Sequence, residues 1–266
     1  MKNIFKKFIK FFLGKSFGQS LFRQLHLISL KGMNFGGGVD PKDSGEDFAV
    51  TYALKKIASD KLIVFDVGGN NGEYTELWLK HIKQQKKSGE FYVFEPSSMA
   101  LQQLEKRFKN IEAVKINKLA ISDKEGVATL YANFAGSGLA SLANRDLSHV
   151  GLEMENREEV VTTTLDNFCQ QQKINKIDFL KLDTEGYEFA ALQGGKNMLN
   201  SKQIKFIQFE FGGTDIDTRV FFRDFYKLLN QQYKIYRILK NGLLEIEKYS
   251  ELEEIFFTTN YLAELR

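Results

Sequence analysis

The sequence predicts an α/β fold on a mostly parallel sheet, and three observations carry that expectation. Apolar runs of strand length alternate with helical patterns across the middle of the chain. Those runs are continuously apolar, as strands buried on both faces are. Acids close four of them, Asp66, Glu95, Asp183 and Glu210, where open α/β sheets bind ligands.

The elements follow in order. A helical segment is expected from about Asp43 to Ser59, with Ser44 as N-cap and Asp47 in the capping-box position. Leu62 to Val67 reads as the first strand, Gly72 to Lys87 as a helix and Phe91 to Glu95 as the second strand. Ser97 to Phe108 is helical and Ala113 to Leu119 is a third strand. The rhythm then breaks: strand-like Val127 to Tyr131 and Val160 to Thr164 enclose a polar insertion, residues 133–159. Ile177 to Asp183 and Lys205 to Phe211 resume the strands, with a helix from Tyr187 to Leu199 between them. Tyr233 to Leu239 and Leu243 to Glu247, joined at Asn241-Gly242, signal a hairpin with a type I′ turn. Ile255 to Leu265 is a final strand.

Composition bounds the function. The 266 residues are 43% hydrophobic and 27% charged, which supports a packed core. One cysteine, Cys169, excludes an internal disulfide and cysteine-based metal clusters, and suits a cytoplasmic setting. Residues 1–39 hold Lys2, Lys6, Lys7, Lys10, Lys15, Arg23 and Lys31 with no acid, leaving 30 of the 37 bases against all 34 acids elsewhere. The body is therefore mildly acidic and a poor nucleic-acid partner. No apolar run spans a membrane, and the lysines interrupt any signal-peptide core.

Residues 1–40 thus form a basic arm on a domain of residues 41–266. In the arm Ile4, Phe5, Phe8, Ile9, Phe11 and Phe12 face opposite Lys2, Lys6, Lys7 and Lys10 on a helical wheel. Peripheral contact of residues 1–31 with the inner face of a membrane, docking on the chain's own domain, and homo-oligomer formation are all compatible with that pattern. Gly14-Lys15-Ser16 imitates a P-loop end, but Ile9 stands where the motif needs glycine.

The candidate site begins in the loop Asp66-Val67-Gly68-Gly69-Asn70-Asn71-Gly72, which lets backbone approach a ligand without completing the dinucleotide fingerprint. Glu95 can accept hydrogen bonds from both ribose hydroxyls of a nucleoside. S-adenosyl-L-methionine has no phosphates to cradle, and its amino group and positive sulfur favour carboxylates such as Asp66 and Asp183. Lys181 is a charge inside an apolar strand, sharing a face with Asp183. It either organises the acids or forms a structural ion pair. Asp183, Glu185, Glu210 and His149 are candidate bases, and no spacing supports a metal site.

DVGGNNGEY (66–74), FEP (94–96), LAISDKEG (119–126), TTLDNF (163–168), FLKLDTEGYE (179–188) and QFEF (208–211) stand in the order found in FkbM-family methyltransferases, which residues 60–264 resemble. Members commonly carry alanine in place of Gly69 and isoleucine or a small residue in place of Asn71. The resemblance implies a Rossmann-like class I methyltransferase sandwich with a mostly parallel seven-stranded sheet and a C-terminal antiparallel hairpin. It implies O-methylation of a sugar, glycan or related small molecule by S-adenosylmethionine. By that likeness Asp66, Gly68, Gly69, Asn70 and Gly72 shape the methionine pocket, and Glu95 with Pro96 holds the ribose. Ala120, Ile121, Ser122 and Asp123 lie where adenine is expected. The polar insertion, with Ser137, Ser141, Asn144, Arg145 and His149, is expected to form a lid over the acceptor, which a basic arm would suit if lipid-linked.

Two other functions compete. A nicotinamide-dependent reductase would use the Tyr52/Lys56 pair, but that pair precedes the glycine loop rather than following it. A non-catalytic binding protein could retain the fold, against which the intact acid cluster argues.

Overall fold

The computed structural model describes residues 13–36 and 41–266; the amphipathic pattern from Lys2 to Phe12 lies outside the described residues. Strands β1 (Lys61–Val67), β2 (Ser88–Phe94) and β3 (Val114–Asn117) come first. A separate three-stranded sheet follows, from β4 (Ala120–Ile121), β5 (Gly126–Ala132) and β6 (Asn156–Thr163). β7 (Ile177–Leu182), β8 (Ile204–Phe211), β9 (Tyr233–Leu239), β10 (Gly242–Glu245) and β11 (Thr259–Leu265) complete the main sheet. Its order is β10-β9-β11-β8-β7-β1-β2-β3. β3, β2, β1, β7 and β8 are parallel, whereas β11, β9 and β10 join antiparallel.

Alternation along the strands divides the apolar side chains between two faces. On one, Val64, Phe179 and Phe206 pack with Trp78 and with Ala49, Val50 and Leu54 of the helix Glu46–Lys56. On the other, Phe65, Leu180 and Ile207 meet Leu165, Phe168 and Phe225. The many phenylalanines interlock here: Phe168 stands edge-on to Phe65 and Phe94, and Phe209 stacks on Phe225 with ring centres 4.6 Å apart. Cys169 is buried in this core, and burial pushes its thiol up to about 12.

The main sheet has eight strands rather than the expected seven, because β10 pairs outside β9. The expected third strand ends early: Asn117 closes β3, and Ala120–Ile121 pairs with β6 in the small sheet. The helix from Asp43 is interrupted at Gly45, whose φ of 91° only glycine adopts freely. Ser44 still accepts from the Glu46 amide, but Asp47 pairs with His81 at 2.9 Å instead of capping. The helix expected from Tyr187 to Leu199 splits into Glu188–Gln193 and Lys196–Asn200. A side chain on Gly194 would run into the carbonyl of Ser122. The hairpin loop is Lys240-Asn241, and neither residue has positive φ, so the turn is not type I′. Tyr52 and Lys56 both bind Glu264 of β11, at 2.7 and 2.8 Å, an outer-face brace rather than a reductase pair.

Helix Gln19–Gly32 carries one buried residue, Leu30. Its C-terminal root is fastened firmly: Asn34 Nδ2 donates to the carbonyls of Ser44 (2.9 Å) and Ile238 (3.1 Å), and Phe35 is buried beneath the Arg237 guanidinium.

Candidate functional site

The chain leaves β1 for β2 on one side and later returns as β7 on the other, so the carboxyl ends of β1 and β7 form the topological switch point. The loop after β1 is built to lie close to its neighbours. Gly68 and Gly69 both donate to the Phe94 carbonyl, at 3.0 and 3.1 Å. Gly68 has φ 86°, and a side chain there would strike the Asp183 carbonyl. Side chains at Gly69 and Gly72 would strike Val93 and Phe108. These glycines bring β1, β2 and β7 together and leave a cleft between their ends.

Glu95 enters that cleft 6% exposed, with one oxygen accepting from Asn70 N (2.8 Å) and the other from Ser97 N (2.9 Å). Each oxygen keeps a lone pair for a further donor. Burial pushes its carboxyl up to about 6, against the pull of those two amides. Gly68, Asn70, Glu95 and Pro96 line one side of the cleft, and Ala120, Ile121 and Leu130 another. Asp183, Thr184, Glu185 and Tyr187 complete the floor. The Thr184 hydroxyl is buried with no hydrogen-bond partner among the described residues, as a ligand-facing group would be.

The polar insertion covers this cleft through Ser137, Gly138, Ala140, Ser141 and Leu142. It is fastened there: Ser141 exchanges backbone hydrogen bonds with Tyr131, and its hydroxyl donates to the Glu185 carbonyl at 2.8 Å.

Other expected residues take different places. Asp66 is 1% exposed and sits behind the cleft, one oxygen accepting from the Thr75 hydroxyl at 2.7 Å. Ser122 and Asp123 line a neighbouring hollow that shares Leu142 and Tyr187 with the cleft. His149 is exposed on the single turn Ser148–Val150 and lines neither the cleft nor the chamber described next. Glu185, whose place just before Gly186 suggests a cap for the following helix, pairs with Arg145 at 2.6 Å instead, and the helix Glu188–Gln193 has no side-chain cap. Glu188 turns back to the loop before that helix, accepting from the amides of Thr184 (2.6 Å) and Gly186 (2.9 Å).

Lys181 lies opposite Asp66 in the β1–β7 register. Its ammonium is 2.8 Å from Asp183 and 4.0 Å from Asp66, over the Tyr74 ring. Burial works against that charge, but Asp183, Asp66 and Glu46 outweigh it and hold the ammonium well above its ordinary range. Burial raises Glu210 well above the carboxylate range, and the charges of Asp183, Glu185 and Glu188 add to it. One oxygen each of Asp183, Glu185 and Glu210 lies within 4.8 Å of the others.

A second chamber of about 480 Å³ adjoins the cleft and shares Asn70, Gly138, Asp183 and Glu185 with it. Its further walls are Asn34, Glu46, Arg145, Glu210, Thr259 and Asn260. Arg145 Nε is buried with no hydrogen-bond partner among the described residues. Nothing in the sequence singles out Glu46, since an acid in a helix's first turn ordinarily serves the helix dipole. Here Gln208 donates to it at 2.9 Å, and burial raises its pKa.

Fold and cleft together define an α/β protein with a buried carboxylate and a glycine-shaped loop at its topological switch point, beside a polar chamber. The methyltransferase FkbM domain matches residues 66–238, and the chain belongs to that family. The chain spans less than two thirds of the length of the first relatives that it matches. The chain is 22% identical over 163 residues to the 2-O-methyltransferase NoeI of Sinorhizobium fredii (strain NBRC 101917 / NGR234), covering 58% of this chain and 65% of NoeI. Among solved structures, methyltransferase FkbM from Methylobacillus flagellatus KT shares 14% identity, covering 78% of this chain and 44% of that one, with TM-score 0.46. SMU.1697c, a putative methyltransferase of Streptococcus mutans in complex with SAH, shares 13% over 84% of this chain and 98% of its own, with TM-score 0.45.

Proposed function

We propose that this chain is an S-adenosylmethionine-dependent methyltransferase that modifies a hydroxyl oxygen of a sugar, glycan or related polyhydroxylated molecule. The carrying observation is the junction of cleft and chamber at Asn70, Gly138, Asp183 and Glu185. The likeness to a 2-O-methyltransferase supports oxygen as the acceptor atom. The chamber walls are amide, hydroxyl, carboxyl and guanidinium groups, suited to a molecule with many hydroxyls.

In this reading Glu95 holds the donor's ribose hydroxyls, and Gly68, Asn70 and Asp183 surround its amino-acid portion. The bound donor supplies an electrophilic methyl on a positive sulfur. The chain's task is then to hold the acceptor oxygen ~3 Å from that carbon and in line with it. Asp183, at the junction, accepts the hydroxyl proton. Lys181 is a positioning residue: it fixes the Asp183 carboxylate and reaches neither cavity. Burial and the neighbouring acids favour the protonated form of Glu210, which suits it to donate a hydrogen bond to the acceptor rather than to act as base. Arg145 offers its unpartnered Nε–H to an acceptor oxygen.

The test supplies S-adenosylmethionine and a panel of mono- and oligosaccharides, reads S-adenosylhomocysteine release, and locates the new methyl by NMR. An O-methyl product that disappears in Asp183→Asn supports the reading. A methyl on nitrogen or carbon overturns it.

A further inference from the structure

We infer that helix Gln19–Gly32 is a docking surface for an anionic lipid bilayer. Leu21, Leu25 and Ile28, at i, i+4 and i+7, are 56%, 46% and 66% exposed on one face. Among the described residues the helix is fixed at its root, where Asn34 and Phe35 are buried and Gly36 N donates to the Thr258 carbonyl at 2.7 Å. A core element would turn its apolar stripe inward. This helix buries Leu30 alone and turns the stripe out.

Charge selects the occupant. Residues 1–39 hold seven bases and no acid, while the remainder carries 34 acids against 30 bases. A basic segment with an apolar face meets a bilayer with both properties used: the acyl boundary takes the leucines and isoleucine, and the headgroup phosphates take Lys15, Arg23 and Lys31. Symmetric pairing of this face with a second copy would bring two such segments, each without an acid, together. Among the described residues no helix is long and apolar enough to cross a membrane, so the contact is peripheral.

The placement has a geometric sequel. Asn34 and Thr258, which hold the helix root, also line the second chamber. Docking therefore sets that chamber beside the headgroup layer, where a hydroxyl carried on a lipid would be presented. This sequel rests on the proposed function; the docking itself does not.

The experiment uses the full chain in vesicle flotation, with phosphatidylcholine alone and with added phosphatidylglycerol. Binding is expected only with the anionic lipid, weakening with salt. Leu21→Ser/Leu25→Ser/Ile28→Ser should weaken it about tenfold, with S-adenosylhomocysteine affinity unchanged as proof of folding. Failure of the full chain to float with anionic vesicles overturns the proposal. So does equal flotation of the triple variant, which would place binding elsewhere in the basic segment. A wild-type dimer in solution that the triple variant converts to monomer would also overturn it and assign the face to a second copy. Methyl transfer enters none of these readouts, so failure here leaves the chemistry standing.

Discussion

Glu95 illustrates how a single side chain joins fold and chemistry. Its two oxygens tie the loop after β1 to the turn after β2, and the same atoms face the cleft. Only the carboxylate accepts from two hydroxyls, so cofactor affinity should be level above a pH of about 6 and fall below it, by up to ~10-fold per pH unit. Calorimetry with S-adenosylhomocysteine between mildly acidic and neutral pH reads this directly, and Glu95→Gln should flatten the profile while weakening binding by about 1.5–3 kcal/mol. Asp183 and Lys181 make a second contrast. Asp183 is about one-third exposed and Lys181 is buried. Asp183→Asn should lower kcat strongly with little change in melting temperature. Lys181→Met leaves the acids without their cation and should cost roughly 3 kcal/mol of stability by denaturant titration. If the two variants lose stability equally, Asp183 is a structural partner and not the proton acceptor.

At the scale of elements, the donor loop depends on glycine for reasons of both φ and space. Gly68→Ala should destabilise the protein by about 2 kcal/mol or more and abolish cofactor binding, because the strained φ and the Asp183 carbonyl oppose the same methyl group. A denaturation midpoint equal to wild type would show that β7 can retreat. This loop was legible in the sequence, as were β1, β2, β7 and β8, because long buried strands must be continuously apolar and their acid ends stand out against them. β4 was not legible as a separate element. Its two residues continue the apolar run of β3, and only pairing with β6 sends them to another sheet. The contacts of Glu46 with Gln208 and of Arg145 with Glu185 were equally hidden, since each joins segments distant in the chain. Glu185 and Glu188 are three residues apart, and composition says nothing about which one turns back to hold the loop amides of Thr184 and Gly186.

Across the whole molecule, buried acids dominate the dependence of stability on pH. Burial raises Glu95 and Glu188 to about 6 and Asp215 to about 8, and it raises Glu210 as well. A carboxyl raised in the folded state binds more protons there than in the unfolded chain throughout the interval between its two pKa values. Stability therefore falls as pH rises through that interval, from about 4.5 to about 8. The melting temperature should be several degrees higher near pH 6 than near pH 8.5, and Glu210→Gln should shrink that difference; a flat or rising profile over the same range would show that these acids titrate normally.

The position of β11 has a consequence in the order of synthesis. β9 and β10 leave the ribosome before it, yet β11 lies between β9 and β8, with both of its edges bonded. The parallel strands and the donor cleft can assemble while translation continues, because β3, β2, β1, β7 and β8 are already made. The β9–β10 hairpin must wait apart, holding open a gap for a strand not yet available. Thr259 and Asn260, which wall the second chamber, arrive with that strand. A nascent chain halted before β11 would hold the cleft complete and the chamber unfinished, so one cavity is older than the other in the life of each molecule.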